Sequence, residues 1–488
     1  MDGRFTLDSM VRRAAGNSSA WVSETDWQGA ERRLSFKEVV SAARSLAEDL
    51  RESGLVFQEV IGLKSKNCID WLVWDIAAII SGAVLQVFPE EDPTPSSDLM
   101  KRNGLRFLAT DGEEHGHGCD RCSTKHRLGI RSRDGKPAQE VLTDLHSKTY
   151  SSGTEGSLKG LLVSKRGTET LVDEYIRSFG ITSADSTVLF LPLSHYPQRL
   201  TAYAALWAGA SIHLTDVEDA LKLSCRSAPT FLSGQASFFD HALHEPCGNP
   251  GGVADPILGG NLRFILTAMA TPEMTADYVN AGVSVYEAYG VTELGMVAWN
   301  CPSASRPGTV GKPIAEDEVV LAADGEILVK RANPLCIGYF VGNEQYDMFG
   351  TGPYTTGDIG SIDAEGFLRV IGRKKNLVTT RTGESHHLEE LEQIASVVSG
   401  IEFFGLVYDR DQHEFLGYLV ASRDLAEGAA ELVRQQIEAR MRAAIGRWTV
   451  IRIVRGMTVP SAKNGLLTRS LKLDRTALLD VVSGVAIG

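Results

Sequence analysis

The stretch TYSSGTEGSLKG at 149–160 offers almost nothing to bury and much that suits an anion. Ser151, Ser152, Gly153, Thr154 and Gly156 permit tight turns, expose backbone N–H groups and supply hydroxyls, and Lys159 adds a cation. A polyphosphate is the ligand such a set fits. A Walker A loop would require GxxxxGK followed by Ser or Thr. Lys159 is followed by Gly160, so the P-loop NTPase reading fails. Taken alone, a loop of this composition is more often a flexible linker, and other residues must decide.

Five further segments change that weighting: FLPLSHYPQR (190–199), YEAYGVTELG (286–295), GEILVKRANPLCIGYF (325–340), YTTGDIGSIDAEGFLRVIGRKKNLV (354–378) and NGLLTRSLKLDR (464–475). With the loop at 149–160 they follow the order of motifs in the adenylate-forming superfamily of acyl-CoA synthetases, luciferases and peptide-synthetase adenylation domains, which the chain resembles from about residue 30 to 475. The LPLSH, GRKK and GLLTxxxKL variants are most similar to those of long-chain acyl-CoA synthetases.

The resemblance implies an AMP-forming ligase that uses ATP and Mg²⁺ to activate a carboxylic acid as acyl-AMP, releases pyrophosphate, and passes the acyl group to CoA or a carrier-protein phosphopantetheine. By the same resemblance, Thr154 and its neighbours hold the β- and γ-phosphates with Lys159, and Thr292 meets the α-phosphate beside Gly290. Glu293 is the Mg²⁺ ligand, a hard oxygen donor suited to that ion. Tyr289 packs on adenine, Asp358 accepts from both ribose hydroxyls, and Arg373 donates to the ribose. The catalytic lysine, which neutralises charge between the attacking carboxylate and the α-phosphate, falls at Lys472, with Lys463 as the weaker candidate. His195 lies near the incoming carboxylate, although an isolated histidine is more often a satisfied core or surface residue. Pocket walls come from Tyr196, residues 231–238, Ala268, Met269 and Ala270, and Lys375 matches the hinge on which the C-terminal domain swivels.

Three departures bear on the substrates. Met269 stands where the family usually has glycine, so a larger side chain is expected to shorten or reshape the pocket. The loop of the second half-reaction reads RTGESHHLEELE at 381–392, with Arg381, His386 and His387 as additions. That leaves open CoA, a carrier thiol, an amine or no second step, and equally an inorganic oxyanion such as nitrite in place of the acid. A nucleotide-binding pseudoenzyme is the alternative from another class, and the presence of Glu293, Asp358, Arg373 and Lys472 weighs against it. Separately, HGHGCDRC at 115–122 sets two histidines beside a CxxC pair, a zinc-ligand spacing that a surface loop explains better.

These residues need a large scaffold, and 488 residues exceed what one core usually organises. Ser35–Gly54 reads as an amphipathic helix opened by a Ser35/Glu38 capping box, with apolar positions at 39, 43, 46, 47 and 50. Trp71–Phe88 approaches the length of a membrane span, but Asp75, Ser81, Gly82 and Gln86 favour a buried helix running into a buried strand. Helix and strand patterns then alternate at βαβ spacing, which predicts an α/β protein with doubly wound sheets. From about 308 the texture turns to short alternating segments, a β-rich subdomain, and residues 375–488 read as a small, mobile α+β C-terminal domain after a core domain of 1–374. The net charge of −13 provides no field for nucleic acid or anionic membrane, and the seven scattered cysteines suit reduced thiols in the cytoplasm.

Overall fold

The structure is a computed structural model and describes residues 4–25, 31–90, 92–111, 129–132, 142–152, 158–245, 247, 257–314, 317–341, 345–380, 384–422, 425, 428–445, 450–461, 464–467 and 473–484. Its architecture is α/β, with two large sheets of mixed direction and smaller antiparallel and mixed sheets toward the C-terminus.

The helices form where periodicity and caps agree. Phe36–Glu52 begins at Ser35, whose side chain accepts from the Glu38 N–H while the Glu38 carboxylate takes the Ser35 N–H. Its buried stripe includes Val39, Ala43, Leu46, Ala47 and Leu50. The Trp71–Phe88 run is the buried helix Ile69–Ser81, ended by Gly82 in the left-handed region (φ +72°), followed by the buried strand Val84–Val87. Among the described residues, no helix is long and apolar enough to cross a membrane.

The first sheet takes its parallel centre from Phe107–Thr110, Val60–Lys64, Val84–Val87 and Leu145–Ser152. Leu145–Ser152 turns back antiparallel into Leu158–Ser164, the hairpin around the Gly/Ser-rich loop. The second sheet is parallel from Ser284–Val291 through Phe264–Thr267, Phe231–Ser233, Ser186–Leu189 and Ser211–Leu214 to Trp21–Thr25. The main core draws on both sheets, and separate clusters pack on further residues of the first and the second sheet. Asp75 and Arg199 are buried together within the main core: Arg199 Nε is 3.0 Å from Asp75 Oδ2, and its Nη1 donates to Ser147 Oγ at 2.8 Å. A charge pair removed from water persists only when its hydrogen bonds are satisfied. Here the Tyr203 hydroxyl completes them, donating to Asp75 at 2.7 Å.

The β-rich stretch differs from expectation in one respect. Asp317–Leu321, Glu326–Arg331, Tyr354–Ile362 and Leu368–Arg373 form an antiparallel sheet of their own. Cys336–Val341 leaves it and pairs antiparallel with Leu158–Ser164, which extends the first sheet. Gly160 permits this approach, because a Cβ there would stand 2.6 Å from the Phe340 ring and 2.7 Å from its carbonyl oxygen.

Beyond Lys375, a separate core that includes Val378, Leu388, Leu391, Leu406, Ile437 and Met441 forms around the helices Leu388–Ser396 and Ala429–Ile445 and the sheet of Ile401–Asp409, Glu414–Ala421 and Val450–Arg455. The cysteines also differ from expectation. Cys225 and Cys247 are joined in a disulfide, because the helix Ala220–Ser227 and the segment after Ala236–His244 bring their Cα atoms to 5.3 Å.

Candidate active site

The chain's motif segments converge through a small number of named bonds. Tyr289, on the strand Ser284–Val291, is buried and donates from its hydroxyl to Asp358 Oδ2 at 2.6 Å. The other carboxylate oxygen of Asp358 lies 2.9 Å from Arg373 Nε, and Asp358 and Arg373 face each other across neighbouring antiparallel strands. Arg373 also donates to the Thr356 carbonyl at 3.2 Å. Burial, and then the negative charge of Asp358, raise the Tyr289 phenol well above its ordinary range, so it remains a protonated donor.

A second cluster surrounds Glu293, which lies in the turn between Ser284–Val291 and Gly295–Trp299. The Tyr339 hydroxyl donates to Glu293 Oε1 at 2.7 Å, and the Lys159 ammonium stands 5.7 Å from the centre of the Tyr339 ring. Tyr354 interacts with both Glu293 and Tyr339, and its phenol is pushed up to about 12 by burial and by the Glu293 charge. Tyr339 is raised further by burial and the same carboxylate. Two phenols held protonated can donate to this carboxylate, whose oxygens are hard donors of the kind a divalent cation takes. The turn itself is held from Cys336, whose N–H donates to the Glu293 carbonyl at 2.8 Å and whose thiol reaches the Thr292 carbonyl. Thr292 and Gly290 are exposed at this turn, and Gly290 is required because a Cβ would stand 2.4 Å from the Gly295 oxygen.

The phosphate-loop hairpin is positioned from outside. Ser151 and Ser152 lie on its first strand, opposite Lys159 and Leu158. Thr149 Oγ1 donates to the Ser194 carbonyl at 3.0 Å, tying this strand to the loop of LPLSH. That loop is organised by Asn67, whose amide donates to the Leu191 and Thr215 carbonyls and whose oxygen accepts from the Leu193 N–H at 2.8 Å. His195 is exposed at the cap of the helix Tyr196–Ala208. Tyr196 is buried instead, its hydroxyl 2.6 Å from Thr168 Oγ1 and its ring under the Arg199 guanidinium.

Ala268 and Met269 follow the strand Phe264–Thr267 as exposed residues, and Ala270 is half-buried. Met269 has φ +61° and is 77% exposed. The left-handed backbone turns its side chain outward, so it fills no enclosed space beside the strand end. Glu287 pairs in register with Thr267 next to this segment, and burial pushes its carboxyl up to about 7.

Lys375 is exposed in the turn Lys374–Asn376. On one side of it Lys374 pairs with Asp324 at 2.6 Å and Glu326 at 2.7 Å, and on the other Asn376 contacts Glu389 of the helix Leu388–Ser396. Gly153, Thr154, Gly156, Lys463, Lys472 and Arg381 lie outside the described residues, as does HGHGCDRC. The neighbours of Lys472 are placed: Leu473 forms a bridge with Leu467, and the Asp474 N–H donates to the Leu466 carbonyl at 2.9 Å.

Tyr339, Tyr354, Asn67 and Glu287 carry this geometry without belonging to the candidate set. Glu287, Tyr339 and Tyr354 lie inside the quoted segments at 286–295, 325–340 and 354–378, whereas Asn67 lies in none of them. Tyr339, Tyr354 and Asn67 act through contacts between distant segments.

Residues 11–338 match the family model described as AMP-binding enzyme. A Mycobacterium tuberculosis relative named 3-[(3aS,4S,7aS)-7a-methyl-1,5-dioxo-octahydro-1H-inden-4-yl]propanoyl:CoA ligase is 25% identical over 448 residues, covering 83% of this chain and 85% of its own. The Mycobacterium bovis long-chain-fatty-acid–CoA ligase FadD15 is 30% identical over 297 residues, which span 50% of this chain and about half (49%) of that protein. The solved structure of O-succinylbenzoate coenzyme A synthetase from Bacillus subtilis, in complex with ATP and magnesium ion, superposes with a TM-score of 0.71 at 19% identity, covering 96% of this chain and 98% of that one. The fold, the order of the motifs and the span of the match lead to one assignment: the chain belongs to the family of AMP-binding enzymes, within the adenylate-forming superfamily.

Proposed function

We propose that the protein activates a carboxylic acid with ATP, forming acyl-AMP and pyrophosphate, and then transfers the acyl group to the thiol of CoA. The observation that carries this reading is the pair of clusters on the YEAYGVTE segment. Asp358 joins Tyr289 and Arg373 at one end, and Tyr339 joins Glu293 and Lys159 at the other. A nucleotide needs both functions: hydrogen-bonding groups for its ribose and cation-compatible groups for its phosphates. The Bacillus subtilis relative bound to ATP and magnesium and the mycobacterial CoA ligases support the same reading.

In the proposed reaction a carboxylate oxygen attacks the α-phosphorus in line, the bond to the bridging oxygen of the β-phosphate breaks, and pyrophosphate leaves. Asp358 and Arg373 fix the ribose, and Thr292 donates to the α-phosphate. Glu293, held by Tyr339, fits Mg²⁺ as a hard oxygen ligand. Bound there, Mg²⁺ would neutralise phosphate charge. Lys472 brings its ammonium to the carboxylate and α-phosphate oxygens. In the second step the thiol sulfur attacks the acyl carbon and AMP departs with both electrons of the acyl–oxygen bond.

Residues 1–374 as the core domain, 375–488 as a lid and Lys375 as the hinge complete the proposal. The hinge is supported by anchors on either side of an exposed lysine. A cytoplasmic location belongs to the same proposal, because ATP is supplied there. Pyrophosphate release from ATP across a panel of carboxylic acids tests it. Release dependent on one class of acid is expected, whereas tight ATP binding with no turnover on any acid would overturn the reading.

A further inference from the structure

Most of the main-chain carbonyls of the turn that carries Thr292 and Glu293 are held by residues 331–336. The Cys336 thiol reaches the Thr292 carbonyl at 3.6 Å, and its N–H donates to the Glu293 carbonyl at 2.8 Å. The Arg331 guanidinium spans two more, Nη1 donating to the Leu294 carbonyl and Nη2 to the Met296 carbonyl. Within the turn, the Leu294 N–H closes on the Val291 carbonyl at 3.1 Å. With these acceptors engaged, Thr292 is exposed and Glu293 half-buried.

Arg331 is 9% exposed. A guanidinium at that depth loses hydration, which its hydrogen bonds must offset. Here two donors go to carbonyls on either side of Gly295. Gly295 has φ +72°, and a Cβ there would stand 2.6 Å from the Leu171 side chain, so the turn is also packed against the helix Lys165–Phe179. Arg331 ends the strand Glu326–Arg331, which pairs antiparallel with Tyr354–Ile362, the strand of Asp358. At the other end of the segment, the Leu335 carbonyl accepts at 2.7 Å from the N–H of Ser164, the last residue of the strand Leu158–Ser164, which carries Lys159. Residues 331–336 thus tie together the sheet of Asp358, the turn of Glu293 and the phosphate-loop hairpin.

We propose that Arg331 is a positioning residue for the Mg²⁺ end of the nucleotide site, a role that rests on the adenylation reading for Thr292 and Glu293. Two N–H donors on one planar group fix both the place and the rotation of the turn they hold, where a single donor fixes only a distance. Arg331 belongs to the sheet of Asp358, so its guanidinium sets the separation between the residue assigned to the ribose and the two assigned to the α-phosphate and the cation. That separation matters to an in-line displacement, in which a misplacement of about 1 Å can cost on the order of 100-fold in rate. Arg331 itself touches neither nucleotide nor metal in this proposal and acts through the carbonyls of Leu294 and Met296.

Arg331→Met keeps the length of the side chain and removes both donors, and Arg331→Lys keeps the charge and one donor. In acid-dependent pyrophosphate release, Arg331→Met is expected to lower kcat about tenfold or more and to require more Mg²⁺ for half-maximal rate, with KM for the acid within about twofold of the parent. Arg331→Lys is expected to recover part of this, falling about threefold below the parent, and it carries the test if circular dichroism shows Arg331→Met unfolded. A role confined to stability would lower the melting temperature and leave kcat and the Mg²⁺ requirement of the folded variants at the parent's values. That result overturns the proposal. Should the parent turn over no acid, the adenylation reading falls by itself, and calorimetric titration with ATP, with and without Mg²⁺, decides on Arg331. The Mg²⁺-dependent gain in ATP affinity is then expected to shrink in the variants. An equal gain in parent and variants, or none in the parent, overturns the proposal.

Discussion

The Tyr339 hydroxyl donates a 2.7 Å hydrogen bond to Glu293 Oε1 while its ring faces the Lys159 ammonium at 5.7 Å. One side chain thus touches both the hairpin of the phosphate loop and the carboxylate assigned to the cation. Groups that orient a metal-binding carboxylate typically contribute about 10- to 100-fold to metal affinity or activity. Tyr339→Phe keeps the ring and removes the donor. Pyrophosphate release measured against Mg²⁺ concentration is expected to require about tenfold more Mg²⁺, with the cation–ring contact preserved.

Asp358 is shared between Tyr289 and Arg373. Asp358→Ala leaves a buried phenol without its acceptor and a half-exposed guanidinium without its counter-charge, and it removes the group assigned to the ribose. The expected loss in ATP affinity is about 2 kcal/mol, or roughly 30-fold, by equilibrium titration. Tyr289→Phe, which removes only one donor, is expected to cost less. An equal loss in both variants would place the effect in the phenol and not in the ribose contact.

Lys472 and Lys463 are separated by kinetics. Lys472→Ala is expected to slow adenylate formation by about 100-fold, the scale of a lost transition-state charge contact, and Lys463→Ala to leave it within a few-fold. The reverse order would reassign the catalytic lysine.

Met269 has a left-handed backbone that disfavours side chains with a Cβ by roughly 1–2 kcal/mol. Its side chain is 77% exposed, so truncation loses little packing. Glycine restores freedom to the unfolded chain at a cost of roughly 0.5–1 kcal/mol. Met269→Gly is therefore expected to stabilise the protein by about 0.5–1 kcal/mol in urea denaturation, unusual for removal of a large apolar residue.

Glu287 supplies a pH dependence. Its carboxyl rises from 4.5 to about 7 in the folded protein through burial. The folded state therefore retains a proton that the unfolded chain has already lost. The stabilising contribution is complete below pH 4.5 and is lost as pH rises through 7. Glu287→Gln carries no such proton. Relative to the parent, it is expected to gain stability between pH 5 and pH 8 in denaturant titrations, and parallel pH profiles would count against the burial of this carboxyl.

The elements that position the site were legible where pattern and cap coincide. The Ser35/Glu38 box, the closing Gly82 and the buried run of Val84–Val87 are written within single segments. The chain's family was legible because its motifs keep their order. The bond from Tyr339 to Glu293 was not, because the two residues stand 46 positions apart and meet only when Cys336–Val341 leaves the β-rich stretch for the first sheet. Asn67 was hidden for the same reason: its partners, Leu191, Leu193 and Thr215, lie more than 120 residues away. The Cys225–Cys247 disulfide also escaped notice, since the spacing of seven cysteines says nothing about which two a helix and a loop will bring together.

The displaced strand has a thermodynamic consequence. Cys336–Val341 pairs with one side of the phosphate-loop hairpin and presents Tyr339 to Lys159 and Glu293. If the proposed roles hold, a triphosphate contacted by that lysine and by a cation on that glutamate would close a ring that passes through the strand. By linkage, part of its binding free energy becomes cohesion of the sheet margin. On the proposed roles the nucleotide would then act as a removable staple, fastening the sheet margin while it is bound and releasing it when pyrophosphate departs.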